Sequence, residues 1–445
     1  MTEKACNIKA RSPSIWLLQD GEPLPIDQEP RLLRTGILAE RLIDTGFSVT
    51  WWASRFNHSL KTHRKHAKTF CELKNGYQLY LLDGPGYKKN ISLSRIGHHR
   101  HCAANFTRLA GMLPKPNIIL ASYPSPELCH AGKTFAKKHS IPFIIDVRDP
   151  WPDIFPQYFS LIARWATYPL VYYYRRMFRS IAAEAIGIVS VSKAMLKWAI
   201  NYSGRKESNA DQVFYIGYDI PAVQRKIEIP DRHFTEETPL ICLFISTGGR
   251  SYDGTTMIEA ARLLEARGER RIRFMITGDG EMHSTWIKQA SGLKSITFTG
   301  WISHQELQAL LSKAHVGLIL MHGGITRFWL GNKIAEYLST FLVLINNVPG
   351  EPEEIIKNNQ IGAVIRPKDP AALTAILKGL VNAPHMVKQY MENSRKVFFE
   401  VFEREKIYEN YVKYLDQHLN GSKIRDTPQY DNPVETTSCK RWRHI

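Results

Sequence analysis

The chain has 445 residues, 44% of them apolar, and a formal charge of +17 from 59 Lys and Arg against 42 Asp and Glu. That length exceeds one ordinary core and the composition is not that of a disordered chain, so two α/β-sized domains are expected. The charge asks for an anionic partner, which nucleic acid, acidic lipid headgroups and phosphorylated metabolites all satisfy. Cys6, Cys71, Cys102, Cys129, Cys242 and Cys439 show no CxxC spacing, which predicts free thiols in a reducing compartment. The first residues lack the apolar centre of a secretory signal, and no run approaches the roughly 18 apolar residues of a spanning helix. The expected location is cytoplasmic, or peripheral on the cytoplasmic face of a membrane.

In chain order, SIWLLQD (14–20) reads as a buried strand, a loop GEPLP follows from Gly21, and the amphipathic stretch RLLRTGILAERLIDTG ends at Gly46. FSVTWWAS, YQLYLLD, NIILAS and IPFIIDV supply further strands, the last two separated by the helical ELCHAGKTFAKKH. After the polar, proline-punctuated EIPDRHFTEETP the pattern restarts, with LICLFIS, RIRFMIT, SITFTG, VGLILM and FLVLINN as strands between amphipathic helices. Strands alternating with helices predict two doubly wound parallel sheets whose ligands collect beyond the strands' carboxyl ends. The expected division is a first Rossmann-like domain over 1–225 and a second over 226–385. Helices over 386–419 should return to the first domain, ahead of a mobile basic tail over 420–445.

In the second half a Gly-rich loop after VGLILM leads into a helix opening at Asn332. Its free N–H groups and Lys333 would face a cleft, with Glu336 three residues on and on nearly the same face. This is a phosphate grip with a carboxylate for ribose hydroxyls, or an ordinary surface Lys/Glu pair. Gly248 and Gly249 permit a tight strand-to-helix turn that presents Arg250, as a second phosphate cradle or a plain turn. Gly278, Asp279 and Gly280 leave the next strand sharply. Trp301 precedes a Ser303 to Glu306 capping box and either flanks a base or seals the sheet end.

GGRSYDG, TGDGE, FTGW, NKIAEYL and VPGEPEE, in this order, resemble retaining GT-B glycosyltransferases of family 4. Within it the chain resembles the bacterial surface-polysaccharide branch that includes N-acetylfucosamine transferases. SRFNHSLKTHR, GPGYKKNISLSRI, IIDVRDPWPDIF, VSVSKAM and YIGYD are further echoes, so that the likeness spans about residues 14 to 415. The resemblance implies two Rossmann-like domains facing a cleft and a nucleotide-sugar donor, expected to be a UDP-sugar, with no dedicated metal or other cofactor. It also implies a lipid-linked or oligosaccharide acceptor belonging to O-antigen, capsule or exopolysaccharide, met at the inner membrane. Glu336 matches the acid that holds the donor ribose, and Gly350 and Glu351 belong to the matched Gly/Glu loop. Phe328 stands where the first acid of the Glu-x7-Glu motif would fall, and Thr255 where a second phosphate-binding lysine would.

The acceptor is expected on the first domain. There Gly21 follows the first strand, Arg148 and Asp149 follow IIDV, and His58, Lys88 and Asn90 lie in basic loops after other strands. Asp149 stands where relatives of the branch carry a His or Asp close to the sugar, while Arg148 pairs with it or with phosphate. The contiguous His98 to Cys102 run cannot surround one ion as a helical His-x3-His can. In SLIARWATYPLVYYYRRMFRS, aromatics alternate with arginines, as at the face of an anionic bilayer or in a buried helix with a basic solvent face, and Pro169 argues against a single unbroken helix. A basic nucleic-acid-binding protein is the alternative; no zinc-finger or RRM pattern supports it. A Rossmann oxidoreductase lacks its GxGxxG after the first strand.

Overall fold

The computed structural model describes residues 12–419 apart from 29, 66–67, 75, 156–160, 221–232 and 323–329. Phe328 and the basic tail over 420–445 therefore lie outside the described residues, as does part of the EIPDRHFTEETP linker. The chain divides into two units, one comprising residues up to Phe214 and again from Tyr408, the other running from Tyr215 to Ile407.

In the first unit the apolar run SIWLL is β1 (Ser14–Leu18), followed by α1 (Arg34–Asp44) and β2 (Ser48–Ser54). A hairpin of β3 (Phe56–Asn57) and β4 (Thr62–His63) leads to β5 (Phe70–Lys74) and β6 (Tyr77–Leu82). Then come α2 (Leu93–Ala110), β7 (Ile118–Tyr123), α3 (Pro126–His139), β8 (Phe143–Val147) and α4 (Leu161–Glu184). β9 (Gly187–Ser190), α5 (Lys193–Ser203) and β10 (Gln212–Val213) complete the series. The sheet order is β10-β9-β8-β7-β1-β2-β6-β5, parallel except where β5 meets β6. β7, β8 and β9 are buried along their whole length, as parallel strands covered on both faces must be. Trp16 and Trp52 meet edge to face at 5.2 Å, and Phe106 of α2 and Phe135 of α3 close over them at 4.9 and 5.2 Å.

α4 corrects one expectation, since it runs as one helix with Pro169 inside it. Just before the proline Trp165 is 81% exposed and Tyr168 is exposed too, so water can take the carbonyl whose donor Pro169 removes.

The second unit contains β11 (Leu240–Ile245), α6 (Gly254–Ala266), β12 (Ile272–Thr277), α7 (His283–Gln289) and β13 (Ile296–Gly300). α8 (His304–Leu311), β14 (Val316–Ile319), α9 (Asn332–Leu338) and β15 (Val343–Asn346) follow. α10 (Glu351–Asn359), β16 (Gly362–Val364), α11 (Pro370–Asn382) and α12 (Pro384–Val397) close the unit. Its six strands are all parallel, in the order β13-β12-β11-β14-β15-β16. α8 opens on the predicted capping box of Ser303 and Glu306. The return to the first unit starts at Tyr408, later than residue 386, because α12 buries Val387 and Met391 in the second unit's own core. After a π turn over Phe398–Phe402, α13 (Arg404–Gln417) carries Tyr411 against Phe214 at 4.3 Å and Tyr414, whose hydroxyl donates to the Ala210 carbonyl at 2.7 Å.

At the centre of the first unit Asp146, fully buried, accepts from Arg34 through both oxygens at 2.9 and 3.2 Å and from Arg148 Nε at 2.9 Å. Burial pushes this carboxyl up, but the two guanidiniums hold it below the usual carboxylate range. Asp146→Ala would leave two buried cations facing each other and is expected to cost about 3–5 kcal/mol. Chemical unfolding of the full chain checks this, and a loss within the ordinary surface range would contradict it.

Candidate nucleotide-sugar and acceptor sites

From β11 the second unit's chain goes first to β12 and β13 on one flank, then to β14, β15 and β16 on the other. The crevice beyond the carboxyl ends of β11 and β14 is therefore a topological switch point, where open parallel sheets hold ligands.

Three turns meet at this edge, backbone against backbone. Gly278 has φ +102°, and a Cβ there would lie 1.6 Å from the Ser246 carbonyl oxygen. A Cβ on Gly280 would lie 2.1 Å from the Thr247 carbonyl oxygen, and one on Gly248 would lie 2.7 Å from the Gly280 nitrogen. The Met282 N–H donates to the Gly248 carbonyl at 2.7 Å and the Gly278 N–H to the Gly300 carbonyl at 2.8 Å. The glycines serve first to let the turns interlock.

Lys333 and Glu336 share the crevice with Tyr252. The Lys333 ammonium lies over the Tyr252 ring at 5.4 Å, and the Glu336 charge helps raise that phenol, after burial. Lys333 is half-buried; burial pushes its ammonium down to about 8 against the pull of Glu336. Glu336 is buried and accepts from the Tyr218 hydroxyl at 3.1 Å, which itself accepts from Gln308 Nε2 at 2.9 Å. Tyr218 and Tyr252 sit inside the motifs YIGYD and GGRSYDG but carry no charge, so their part was not legible from residue type.

The remaining positions stand further out. Arg250, with an 80% exposed side chain, pairs with Glu281 through Nε at 2.8 Å and through Nη2. Thr255 donates to Gln289 at 3.1 Å, and Asp253 caps α6 by accepting from the Thr256 N–H at 3.1 Å. Asp279 is exposed and accepts from the Gly280 N–H at 2.7 Å. Asn332 is exposed on α9, Gly331 caps that helix without a side-chain bond, and Trp301 is 78% exposed beside Gly300. Gly350 (φ +86°) caps α10, whose first residue, Glu351, is buried and accepts from the Tyr215 hydroxyl at 2.7 Å.

The first unit repeats the topology, since β1 is flanked by β2 and β7 and the chain reverses between them. A cavity of about 150 Å³ lies in this unit, and Gly21, His58, Arg148 and Asp149 all line it. Lys88 and Asn90 are exposed and do not line it; the Asn90 side chain accepts from Lys61 at 2.6 Å. Arg148 departs from expectation: its guanidinium is committed to Asp146 and Glu22 and to the hydroxyls of Thr35 and Ser122 at 2.9 and 2.8 Å. Two buried carboxylates, and not Asp149, are its acidic partners. Asp149 is exposed at the mouth, yet the surrounding protein pushes its carboxyl up to about 6 against Arg148 and Arg95. His58 bonds the Tyr87 hydroxyl at 2.5 Å, and burial followed by Arg95 and Lys61 pushes it down to about 4. Asp20, Arg95 and His99 also line the cavity and were not among the expected acceptor residues. Asp20 had one signal, its place directly after a buried strand.

Among the described residues no group of three or more His, Cys, Asp or Glu side chains is arranged to hold a metal ion.

Residues 241–383 match the family model described as Glycosyl transferases group 1. The match lies within the second unit and covers about a third of the chain. O-antigen chain mannosyltransferase C of Escherichia coli is 27% identical over 153 residues, 34% of this chain and 41% of that protein. The chain thus spans less than half the length of that curated relative. Sucrose-phosphate synthase of Thermosynechococcus elongatus superposes with a TM-score of 0.65 at 13% identity, covering 92% of this chain and all of the other. HepE of Anabaena in complex with UDP gives 0.60 at 14% identity, covering 91% of this chain and all of HepE. The two parallel-sheet units thus have the fold of these solved structures, the GT-B fold.

Gly278→Ala forces a side chain into the Ser246 carbonyl at a positive φ and is expected to destabilise the second unit by about 2–4 kcal/mol. Gly268→Ala, at φ +72° with open space around it, is expected to cost about 1 kcal/mol. Equal effects of the two on unfolding would show that the interlock contributes nothing.

Proposed function

We propose that this chain is a retaining glycosyltransferase that moves a sugar from a UDP-sugar onto a growing bacterial surface glycan. The observation that supports the reading is the Lys333, Glu336 and Tyr252 cluster at the switch point of the unit that matches the group 1 glycosyl transferase model. UDP in the HepE complex supports the choice of base, and the O-antigen mannosyltransferase supports the choice of product.

In this reading the acceptor hydroxyl oxygen attacks the anomeric carbon on the face from which the diphosphate departs. The carbon–oxygen bond to phosphate breaks with its electron pair going to the leaving group, and a phosphate oxygen takes the acceptor proton. Lys333 stands against the developing negative charge, in partly desolvated surroundings where a cation counts for more than in water. Glu336 accepts from the ribose hydroxyls and holds the donor without being a nucleophile. Arg250 would leave Glu281 for phosphate when donor binds, a small exchange for an exposed ion pair.

A thermal-shift screen of UDP-, GDP- and dTDP-sugars tests this, because a ligand that binds the folded state raises its melting temperature. UDP-sugars are expected to stabilise the protein, and Glu336→Ala to lose that effect. The Lys333 cation is present below about 8 and lost above it, so donor affinity should fall as pH rises from 7 to 9; Lys333→Arg should abolish the fall. Stabilisation by no sugar nucleotide would sink the proposal.

We also propose a peripheral seat on an anionic membrane. Trp165, Tyr168, Tyr172 and Tyr173 are exposed along α4 beside the exposed Arg176 and Arg179, and no helix among the described residues is long and apolar enough to span. Cosedimentation with phosphatidylglycerol vesicles should be reduced severalfold by Trp165→Ala with Tyr168→Ala, and an unchanged bound fraction would count against this face.

A further inference from the structure

The turn after β1 is fixed before any ligand is considered. The Gln19 side-chain oxygen accepts from the N–H groups of Gly21 and Glu22 at 2.8 and 2.9 Å, and the Gln19 carbonyl accepts from Trp51 Nε1 at 2.9 Å. Asp20 is thereby delivered into the first unit's cavity, 8% exposed. Its Oδ1 accepts from the Ser125 hydroxyl, while Oδ2 is buried with no hydrogen-bond donor among the described residues. Burial pushes the carboxyl up, but His99, the Ser125 hydroxyl, His98 and Arg95 together hold it below the usual range. A buried carboxylate oxygen lacking a donor is a costly arrangement that a ligand donor group would relieve.

The groups around Asp20 decide what kind of donor. His99 is pushed down to about 4 and His98 is also lowered, both chiefly by burial, so both rings are uncharged at neutral pH. His98 is spent besides: its Nδ1 accepts from the Gly86 N–H at 3.1 Å, which leaves Nε2 to donate to Ser54 at 3.1 Å. Arg148 is committed to Asp146 and Glu22. Arg95 lies over the rings of Trp151 and Tyr87 at 4.5 and 5.5 Å and donates to the Asn90 carbonyl at 3.0 Å. A phosphate or carboxylate here would face an ionised Asp20 with one stacked guanidinium to offset it, whereas a hydroxyl can donate to Oδ2.

We infer that the cavity takes an uncharged, hydroxyl-bearing sugar ring as the acceptor's end, one ring hydroxyl donating to Asp20 Oδ2, and that Asp20 selects against phosphorylated or uronic ends. The acceptor role rests on the glycosyltransferase reading above; the ligand preference does not.

Saturation-transfer NMR on the full chain at neutral pH separates the two. The probes are methyl α-D-mannopyranoside and methyl α-D-glucopyranoside against mannose 6-phosphate and glucose 6-phosphate. The neutral glycosides are expected to bind, and the phosphates at least about tenfold more weakly, a comparison that needs no variant. Asp20→Asn, once its thermal unfolding shows that it folds, should weaken the neutral probes about tenfold by losing a charge-assisted hydrogen bond. Phosphates binding as well as the neutral sugars, an Asn variant binding like wild type, or no neutral glycoside binding at tens of millimolar would each overturn the inference. Neutral sugars bound by a wild-type protein that no sugar nucleotide stabilises would instead keep the cavity's preference and remove the glycosyltransferase reading.

Discussion

One carboxylate with no access to water, Asp146, holds two arginines that would otherwise repel each other in the middle of the first unit. Arg34 also donates to the Phe214 carbonyl at 2.7 Å, while Arg148 reaches Glu22 in the turn after β1 and Ser122 in β7. Glu22 in turn accepts from the N–H and hydroxyl of Thr35 in α1. The desolvation of so many charges offsets most of their attraction, so the network contributes geometry more than net stability. It fixes the ends of β1, β7 and β8 against one another, and these ends frame the cavity into which Asp20 projects.

The second unit reaches a defined edge by a different route. Its loops are held by glycine backbones in direct contact and by hydrogen bonds between turns. Tyr337 adds a hub beneath them, its hydroxyl accepting from the Ile245 N–H at 2.9 Å while its ring lies where a side chain on Gly317 would stand. These contacts lock the three turns at this edge of the sheet against one another. Lys333 and Glu336 sit on α9, only seven residues long, so their chemistry rests on their own charges and on Tyr252 and Tyr218 more than on a helix dipole.

The sequence made the two-sheet architecture readable because apolar runs of strand length alternate with amphipathic stretches, and in parallel sheets that alternation leaves few other arrangements. Lys333 and Glu336 were readable as a pair because helical spacing is local. What pairs across the sequence was not: Arg250 finds Glu281 from the neighbouring loop, and Arg148 is taken by Asp146 and Glu22 instead of Asp149. Ionisation was equally hidden. Asp149 at about 6 and His58 and His99 at about 4 owe their values to the protein packed around them, which residue type does not encode. The division between units could not be read to the residue either, since α12 looks like the helix that follows it yet buries its apolar side elsewhere.

Pro169 sets a limit on how α4 can be used. Its ring denies the Trp165 carbonyl the intrahelical donor it would otherwise have, so that oxygen must find a proton outside the helix. Hydrocarbon has none to give, whereas headgroups and their water do. If α4 is the membrane-facing element, its indole end can sink no deeper than the ester and glycerol layer, where the Trp165 carbonyl still meets water.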